Sequence, residues 1–349
     1  MDLFLYVAHY DPSIDMNGAK IRLAAMANEF INTGRRFIFV RSTDKMMWEA
    51  KNFGRFVPIG IFKENEKFRS SEVRAIIFSW FWLAQHSEGI MSHLRLNNPR
   101  VPIVLDTIDA VGLRLHREYL ATRMQTPTAV FSVQHERMQL DKADFIIAIT
   151  PEEVKHFRTL THTPSMEVGF ANPQRVGPRL DRLTADERAN VTGFFGSRNY
   201  ANLHSLVRAC QIAWRSGRIR RFIVVGSVCD YSDSVIKLKS LFGDWLSVMG
   251  RVDDPWEFYR QVEFTTNTLV FGSGIKIKMV ETLGYGVPTV ANAIALEGLP
   301  RTLPGLYFAD THIEFSERMD DIRDHFTRCD DTFFARAFRS QVRKFAEVF

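Results

Sequence analysis

The sequence predicts an α/β protein built from two successive doubly wound, Rossmann-like domains, one over residues 1–172 and one over 191–330. Three observations carry this. Short apolar runs alternate with amphipathic helical stretches, the rhythm of βαβ units and parallel sheets. That rhythm breaks once, over 173–190, and then restarts. Finally, 349 residues with 46% hydrophobic content exceed what one core usually holds, and two domains of roughly 150–170 residues fit the scaling of buried surface.

In the N-terminal half, Leu3 to Ala8 reads as the first strand. A polar loop with Asn17-Gly18 follows, then an amphipathic helix from Ala19 to Thr33, which Gly34 ends from the C′ position. Phe37 to Val40, Arg74 to Ser79, Ile103 to Asp106 and Phe145 to Ile149 are further strands, and Met166 to Gly169 is a last short one. Thr150-Pro151-Glu152-Glu153 is a helix start, with Thr150 as N-cap, Pro151 at the first helical position and Glu153 at N3. Residues 173–190 are rich in Pro, Arg and Asp and lack apolar periodicity, which marks the linker.

The C-terminal half repeats the scheme. Val191 to Phe195, Arg221 to Val225, Trp245 to Met249, Phe264 to Val270, Val287 to Ala291 and Leu306 to Ala309 read as strands. Helices are expected over Ala201 to Arg215 and Ile275 to Leu283. In the tail, 331–349, Phe334, Phe338, Val342 and Phe345 recur at helical spacing, so a final helix is expected to pack back toward the N-terminal domain. Ligands of doubly wound sheets bind at the carboxyl ends of strands, which makes a central cleft faced by both domains the default site.

The stretch richest in chemistry is Phe271 to Val290. A strand runs into Gly272-Ser273-Gly274, whose glycines let backbone approach a ligand. A helix begins at once, so free amides and the positive dipole end face that space, a ready anion site suited to a diphosphate. Lys276 and Lys278 add charge in the first turn, where cations oppose the dipole unless an anion is bound. Glu281 shares their face and can accept hydrogen bonds from sugar or ribose hydroxyls. The alternative is an ordinary surface helix with Lys278 and Glu281 as an i,i+3 ion pair.

This segment resembles the donor-binding signature of the retaining glycosyltransferases of family 4, the glycosyl transferases group 1, in which a Gly-rich loop leads into a helix bearing a glutamate and then a Gly-x-Pro strand. Gly284-Tyr285-Gly286-Val287-Pro288-Thr289-Val290 matches the last part, and Ala295-Leu296-Glu297-Gly298-Leu299 the loop beyond it. Ala143-Asp144-Phe145-Ile146-Ile147, Thr192-Gly193-Phe194-Phe195-Gly196-Ser197 and Val248-Met249-Gly250-Arg251-Val252 are similar to other family segments in the expected order. The resemblance implies the GT-B fold and transfer of a sugar from a nucleotide-sugar donor to a glycan or lipid-linked acceptor, with retention. It implies that the backbone of Gly274, Ile275 and Lys276 holds the phosphates, that Ser273 belongs to the same donor-binding loop, that Glu281 binds the ribose, and that Gly196 and the turn at Arg251 and Val252 border the donor. Gly18 would approach the donor from the N-terminal domain, and Arg198 or Lys276 would neutralise the leaving diphosphate in place of a metal, with Lys278 nearby. Of these, Lys276 is the catalytic candidate. No metal or other cofactor is expected, because no DxD motif appears; Asp253-Asp254 and Asp320-Asp321 are plain pairs.

Two positions depart from the pattern. Ser273 stands where many family members carry a first glutamate, and Ile108 where a histidine is expected. Asp109 beside it is the other catalytic candidate, and its competing reading is a helix N-cap before Ala110 to Leu120. These departures motivate an alternative function, a catalytically inactive nucleotide-sugar-binding scaffold. A nicotinamide dehydrogenase is disfavoured because no strand is followed by GxGxxG.

The bulk numbers exclude more than they assign. A net charge of +5 suits phosphate ligands or an anionic membrane surface, so peripheral membrane contact stays open, but it is too small to argue for nucleic acid. Cys210, Cys229 and Cys329 are widely spaced with no CxxC, which points to a reducing compartment, and the N-terminus lacks a basic signal region, so a cytoplasmic protein is expected. The aromatic run Trp80-Phe81-Trp82 reads as core packing, with an acceptor pocket or membrane contact as the minority reading.

Overall fold

A computed structural model describes residues 3–8, 18–41, 49–50, 54–55, 73–79, 99–123, 128–170, 183–325 and 333–349. The chain divides into two compact units. The first comprises Met1–His116, Gln125–Pro173 and Phe334–Phe349, and the second Arg117–Met124 and Gln174–Phe333.

In the first unit, strands β1 (Leu3–Ala8), β2 (Arg36–Arg41), β3 (Val73–Ser79), β4 (Ile103–Asp106), β5 (Phe145–Ala148) and β6 (Ser165–Glu167) form one sheet in the order β2-β1-β3-β4-β5-β6. Every pairing in it is parallel. Helices α1 (Gly18–Asn32), α3 (Thr128–Leu140), α4 (Pro151–Leu160) and α11 (Phe333–Val348) accompany it, and α2 (Val111–Thr122) begins in this unit and belongs to the second from Arg117 onward. Both sheet faces are covered, which is why the strands are nearly continuous apolar runs. On one face Phe4, Ala75, Ile77 and Val104 pack with Met26 and Phe30 of α1 and with Phe338, Val342 and Phe345 of α11. On the other, Ile76, Phe78, Ile103 and Leu105 pack with Leu140, Val154 and Phe157.

Local signals account for the helix ends. Gly34 takes φ +76°. The amide of Gly34 donates to Ile31 O at 2.9 Å and that of Arg35 to Phe30 O at 3.0 Å, the two bonds of a Schellman stop. Thr150 caps α4, its hydroxyl accepting from the Glu153 amide at 3.1 Å. The Glu153 carboxylate at N3 is fully buried and accepts from Ile149 N at 2.9 Å and Ala110 N at 3.0 Å, tying the start of α4 to the turn after β4.

The second unit contains α5 (Ala185–Arg188), β7 (Val191–Phe195), α6 (Tyr200–Arg215), β8 (Arg221–Val225), α7 (Ser232–Phe242), β9 (Leu246–Gly250), α8 (Trp256–Tyr259), β10 (Phe264–Asn267), α9 (Ile277–Gly284), β11 (Thr289–Ala291), β12 (Leu306–Phe308) and α10 (His312–His325). Its sheet, also parallel throughout, runs β9-β8-β7-β10-β11-β12. Gly193 on β7 has no room for a side chain: an added Cβ would collide with the Ile223 carbonyl oxygen and the Phe258 ring.

Several elements differ from the sequence expectation. Strand β10 stops at Asn267, and α9 begins at Ile277 rather than 275, which leaves 268–276 as an extended approach to the helix. Part of the expected linker is structured, since Ala185–Arg188 form a helical turn closed by a Thr184–Glu187 capping box. Helices α3, α7 and α10 were not expected. Trp80 to Trp82, Cys329 and residues 171–182 lie outside the described residues.

Candidate functional site

The strand order of the second sheet reverses between β7 and β10. Strands β8 and β9 extend to one side of β7, and β11 and β12 to the other side of β10. In open parallel sheets a ligand crevice opens at this switch point, beyond the carboxyl ends of the strands, because the two connections leave in opposite directions. The turns that flank it are 196–199 after β7 and 268–276 after β10.

The first turn is tight. The Gly196 amide donates to Val225 O and its carbonyl accepts from Val228 N, each at 3.0 Å. Gly226 sits against the Gly196 carbonyl at φ +96°, and its amide reaches Gly250 O at 2.7 Å. The turns after β7, β8 and β9 are therefore stitched into a row that carries Gly196, Arg198, Arg251 and Val252. Arg198 anchors its amide on Ser227 Oγ at 2.9 Å and stacks its guanidinium 5.5 Å from the Tyr231 ring centre. Arg251 pairs with Asp230, Nε to Oδ2 at 3.2 Å, and holds that carboxyl below its ordinary range. Val252 packs against the cluster of Trp256, Tyr259 and Tyr285.

Helix α6 starts from this row. Asn199 caps it, accepting from the Asn202 amide at 2.7 Å. The Asn202 side chain then bridges the switch point: its Nδ2 donates to Ser197 O at 2.9 Å, and its Oδ1 accepts from Lys278 Nζ at 3.0 Å. Lys278 also lies 4.1 Å over the Phe194 ring. No carboxylate pairs with it among the described residues. Desolvation, followed by the neighbouring charge of Lys276, lowers its pKa to about 7.

The second turn presents backbone. Gly272 takes φ +156° and Gly274 φ +67°, conformations that suit glycine. Lys276 is the N-cap residue of α9, and no side chain caps that end. Among the described residues, the amides of Gly274, Ile275, Ile277 and Lys278 donate to no protein acceptor. The Lys276 ammonium folds onto its own loop, donating to Ser273 O at 2.8 Å and to Gly274 O, and stands 3.6 Å from Glu297. One turn along α9, Glu281 has no hydrogen-bond or ion-pair partner for its carboxylate among the described residues, and burial raises its pKa to about 7. The Lys278–Glu281 ion pair offered as an alternative is not formed; Lys278 turns to Asn202 instead.

The second unit thus gathers Gly196, Arg198, Ser273, Gly274, Ile275, Lys276, Lys278 and Glu281 around one switch point, with Arg251 and Val252 on the adjoining row. Gly18 and Asp109 belong to the first unit. Gly18 is the first residue of α1. Asp109 lies two residues before α2 and accepts from Arg114 Nε at 2.9 Å, an ion pair that spacing did not suggest. Among the described residues no group of three His, Cys, Asp or Glu side chains could hold a metal ion, and no helix is long and apolar enough to cross a membrane.

Two units that each carry a doubly wound parallel sheet define the class: the chain has the GT-B fold of glycosyltransferases. In the C-terminal half, residues 189–330 match the family described as Glycosyl transferases group 1, so that half carries a glycosyltransferase group 1 domain. Similar solved structures include a sucrose-phosphate synthase from Thermosynechococcus elongatus, with a TM-score of 0.66 at 13% identity over 99% of this chain and 94% of that one. TarM has a TM-score of 0.66 at 10% identity, over 99% and 95%. HepE of Anabaena in complex with UDP has a TM-score of 0.61 at 11% identity, over 100% and 95%. No curated protein matches the chain by sequence.

Proposed function

We propose that this glycosyltransferase takes its sugar from a nucleotide-sugar donor held in the second unit and transfers it to a hydroxyl of a glycan or lipid-linked acceptor. The carrying observation is the turn before α9 at the sheet's switch point. There the amides of Gly274 and Ile275, with no protein acceptor among the described residues, meet the charge of Lys278, with no anionic partner among them. A diphosphate supplies what each group lacks: acceptors for the amides, a favourable charge for the helix end and a counter-ion for the lysine. Glu281 then receives the ribose hydroxyls, and the turn at Arg251 and Val252 borders the base. HepE, of similar fold, has been solved in complex with UDP-glucose, which supports this class of donor.

Transfer with retention, and without a metal, completes the reading. The developing charge on the leaving diphosphate is stabilised by oriented amides and by Lys278, Lys276 or Arg198. Asp109 is the polar group of the first unit proposed to act near the reacting carbon. Its pairing with Arg114 favours, as a second reading, a protein that binds nucleotide sugar without turning it over. A donor that binds yet is neither hydrolysed nor transferred would establish that second reading.

A thermal-shift panel of UDP, ADP and GDP with their sugars tests the proposal. One nucleoside diphosphate is expected to raise Tm by several degrees at saturating concentration, since ligand at about 100 times Kd stabilises by roughly 2.7 kcal/mol. EDTA is expected to leave the shift unchanged. No shift with any of them removes the proposal.

The pH dependence gives a sharper check on Lys278. Its free ammonium titrates at about 7, and a bound diphosphate raises that value. Binding is therefore strongest below pH 7, and above it each further pH unit costs up to about tenfold in affinity through this group. Arginine stays charged, so the affinity of Lys278→Arg relative to the unaltered protein rises as pH climbs from 6 to 9. Glu281 titrates in the same range but is common to both proteins and cancels in that ratio. Calorimetry across that range measures it, and a flat ratio removes Lys278 from the diphosphate site.

A further inference from the structure

We infer that Arg117 is a positioning residue for the donor diphosphate: through the Gly272 carbonyl and the Glu297 carboxylate it sets the direction of the amides in the turn before α9. Arg117, Gly272, Lys276 and Glu297 all belong to the second unit. The guanidinium makes three bonds of 2.8 Å: Nη1 to Gly272 O, Nη1 to Glu297 Oε2 and Nη2 to Glu297 Oε1. The pair with Glu297 is the planar, forked arrangement that arginine forms and lysine cannot.

The effect on the turn follows from peptide geometry. In a trans peptide the C=O and N–H groups point in opposite directions, so fixing a carbonyl fixes the amide on its far side. Arg117 binds the carbonyl of peptide 272–273. Lys276 binds the carbonyls of peptides 273–274 and 274–275. Three successive peptide planes are thus held from their carbonyl side by cations, and the amides of Ser273, Gly274 and Ile275 turn the other way. Glu297 joins the two cations, bound by Arg117 and lying 3.6 Å from Lys276 Nζ, and its side chain is only 5% exposed.

A pair so placed contributes little to stability by itself, because desolvation offsets most of the attraction. Its consequence is geometric. Gly272 and Gly274 leave the turn flexible by themselves, and anion binding by amides depends on those amides being aimed before the ligand arrives. The inference rests on the donor reading above, since a positioned turn matters only where a diphosphate binds it.

The test compares each of UDP, ADP and GDP with its nucleoside, by calorimetry on the full chain. Glu281 and Val252 hold the nucleoside end, so a positioning role at the turn concerns only the phosphates. In Arg117→Ala the nucleoside Kd is expected to stay within about twofold, while the extra affinity of the diphosphate falls by about tenfold, the scale of losing hydrogen bonds to a charged group. Arg117→Lys, which cannot form the fork, recovers only part, and Glu297→Gln gives a smaller loss in the same direction. These two variants carry the test should Arg117→Ala fail to fold. Equal weakening of nucleoside and diphosphate, or no change in either, overturns the inference while leaving the donor reading intact. No binding of any diphosphate to the unaltered protein removes both.

Discussion

Glu281→Ala abolishes measurable stabilisation by nucleoside diphosphate while the chain remains folded. The carboxylate has no protein partner among the described residues, so nothing in the fold depends on its bonds. A ribose offers two hydroxyls, each making a charge-assisted hydrogen bond, and losing both weakens binding by about a hundredfold. The cost of keeping this acid is visible in its pKa, raised from 4.5 to about 7 by burial. The sign of the linkage is definite. The folded chain holds this proton up to about pH 7, while the unfolded chain releases it near 4.5, so this group lowers stability as pH rises between those values and keeps it lowered above them. Glu281→Gln mimics the protonated acid. Its Tm is expected to match that of the unaltered protein at about pH 4, below both values, and to exceed it at about pH 8, even as nucleotide binding is lost. A variant that lost stability at pH 8, or still bound the nucleotide undiminished, would show that Glu281 supports the fold and not the ligand.

The second large effect lies in the first unit. Arg22 is 1% exposed and Asp106 fully buried. The guanidinium bonds Asp106 directly, and reaches Val168 O at 2.6 Å and Gly169 O at 3.1 Å, while Tyr6 donates to the same carboxylate at 2.9 Å. Burial still outweighs these partners and leaves the Asp106 carboxyl above its ordinary range. Arg22→Met strips the carboxylate of its counter-ion and is expected to cost about 3–5 kcal/mol, whereas Arg22→Met with Asp106→Leu recovers most of the loss, since an apolar pair of similar volume is often as stable as a buried ion pair. Hydrogen exchange of the β3 and β4 amides reads this in the first unit alone. A single variant costing under about 1 kcal/mol, or a double variant as unstable as the single, contradicts the account.

Much of the fold was legible because it is encoded over short distances. Strands buried on both faces show as apolar runs whatever they pair with. The Schellman stop at Gly34 and the Thr150 cap need only a few neighbouring residues, and so does the Gly272-Ser273-Gly274 turn into α9. Helix α10 was legible too and is missing from the expectations: Thr311 and Glu314 form a capping box, and Phe315, Met319 and Ile322 are its buried stripe. Helix α3 mixes apolar and polar residues around its circumference, so periodicity gives no direction.

The chain's own pattern determined two parallel α/β halves and a turn of bare amides at the head of α9, because strand burial, helix capping and glycine conformations act within a few residues. What those amides face, and which charges stay unpaired, was decided by tertiary structure. Lys278 meets Asn202 across 76 residues, Arg22 meets Asp106 across 84, and Arg117 meets Glu297 across 180. Such partners are chosen by strand order in the folded sheets, and a charged side chain carries no mark in the sequence of the one group it will reach.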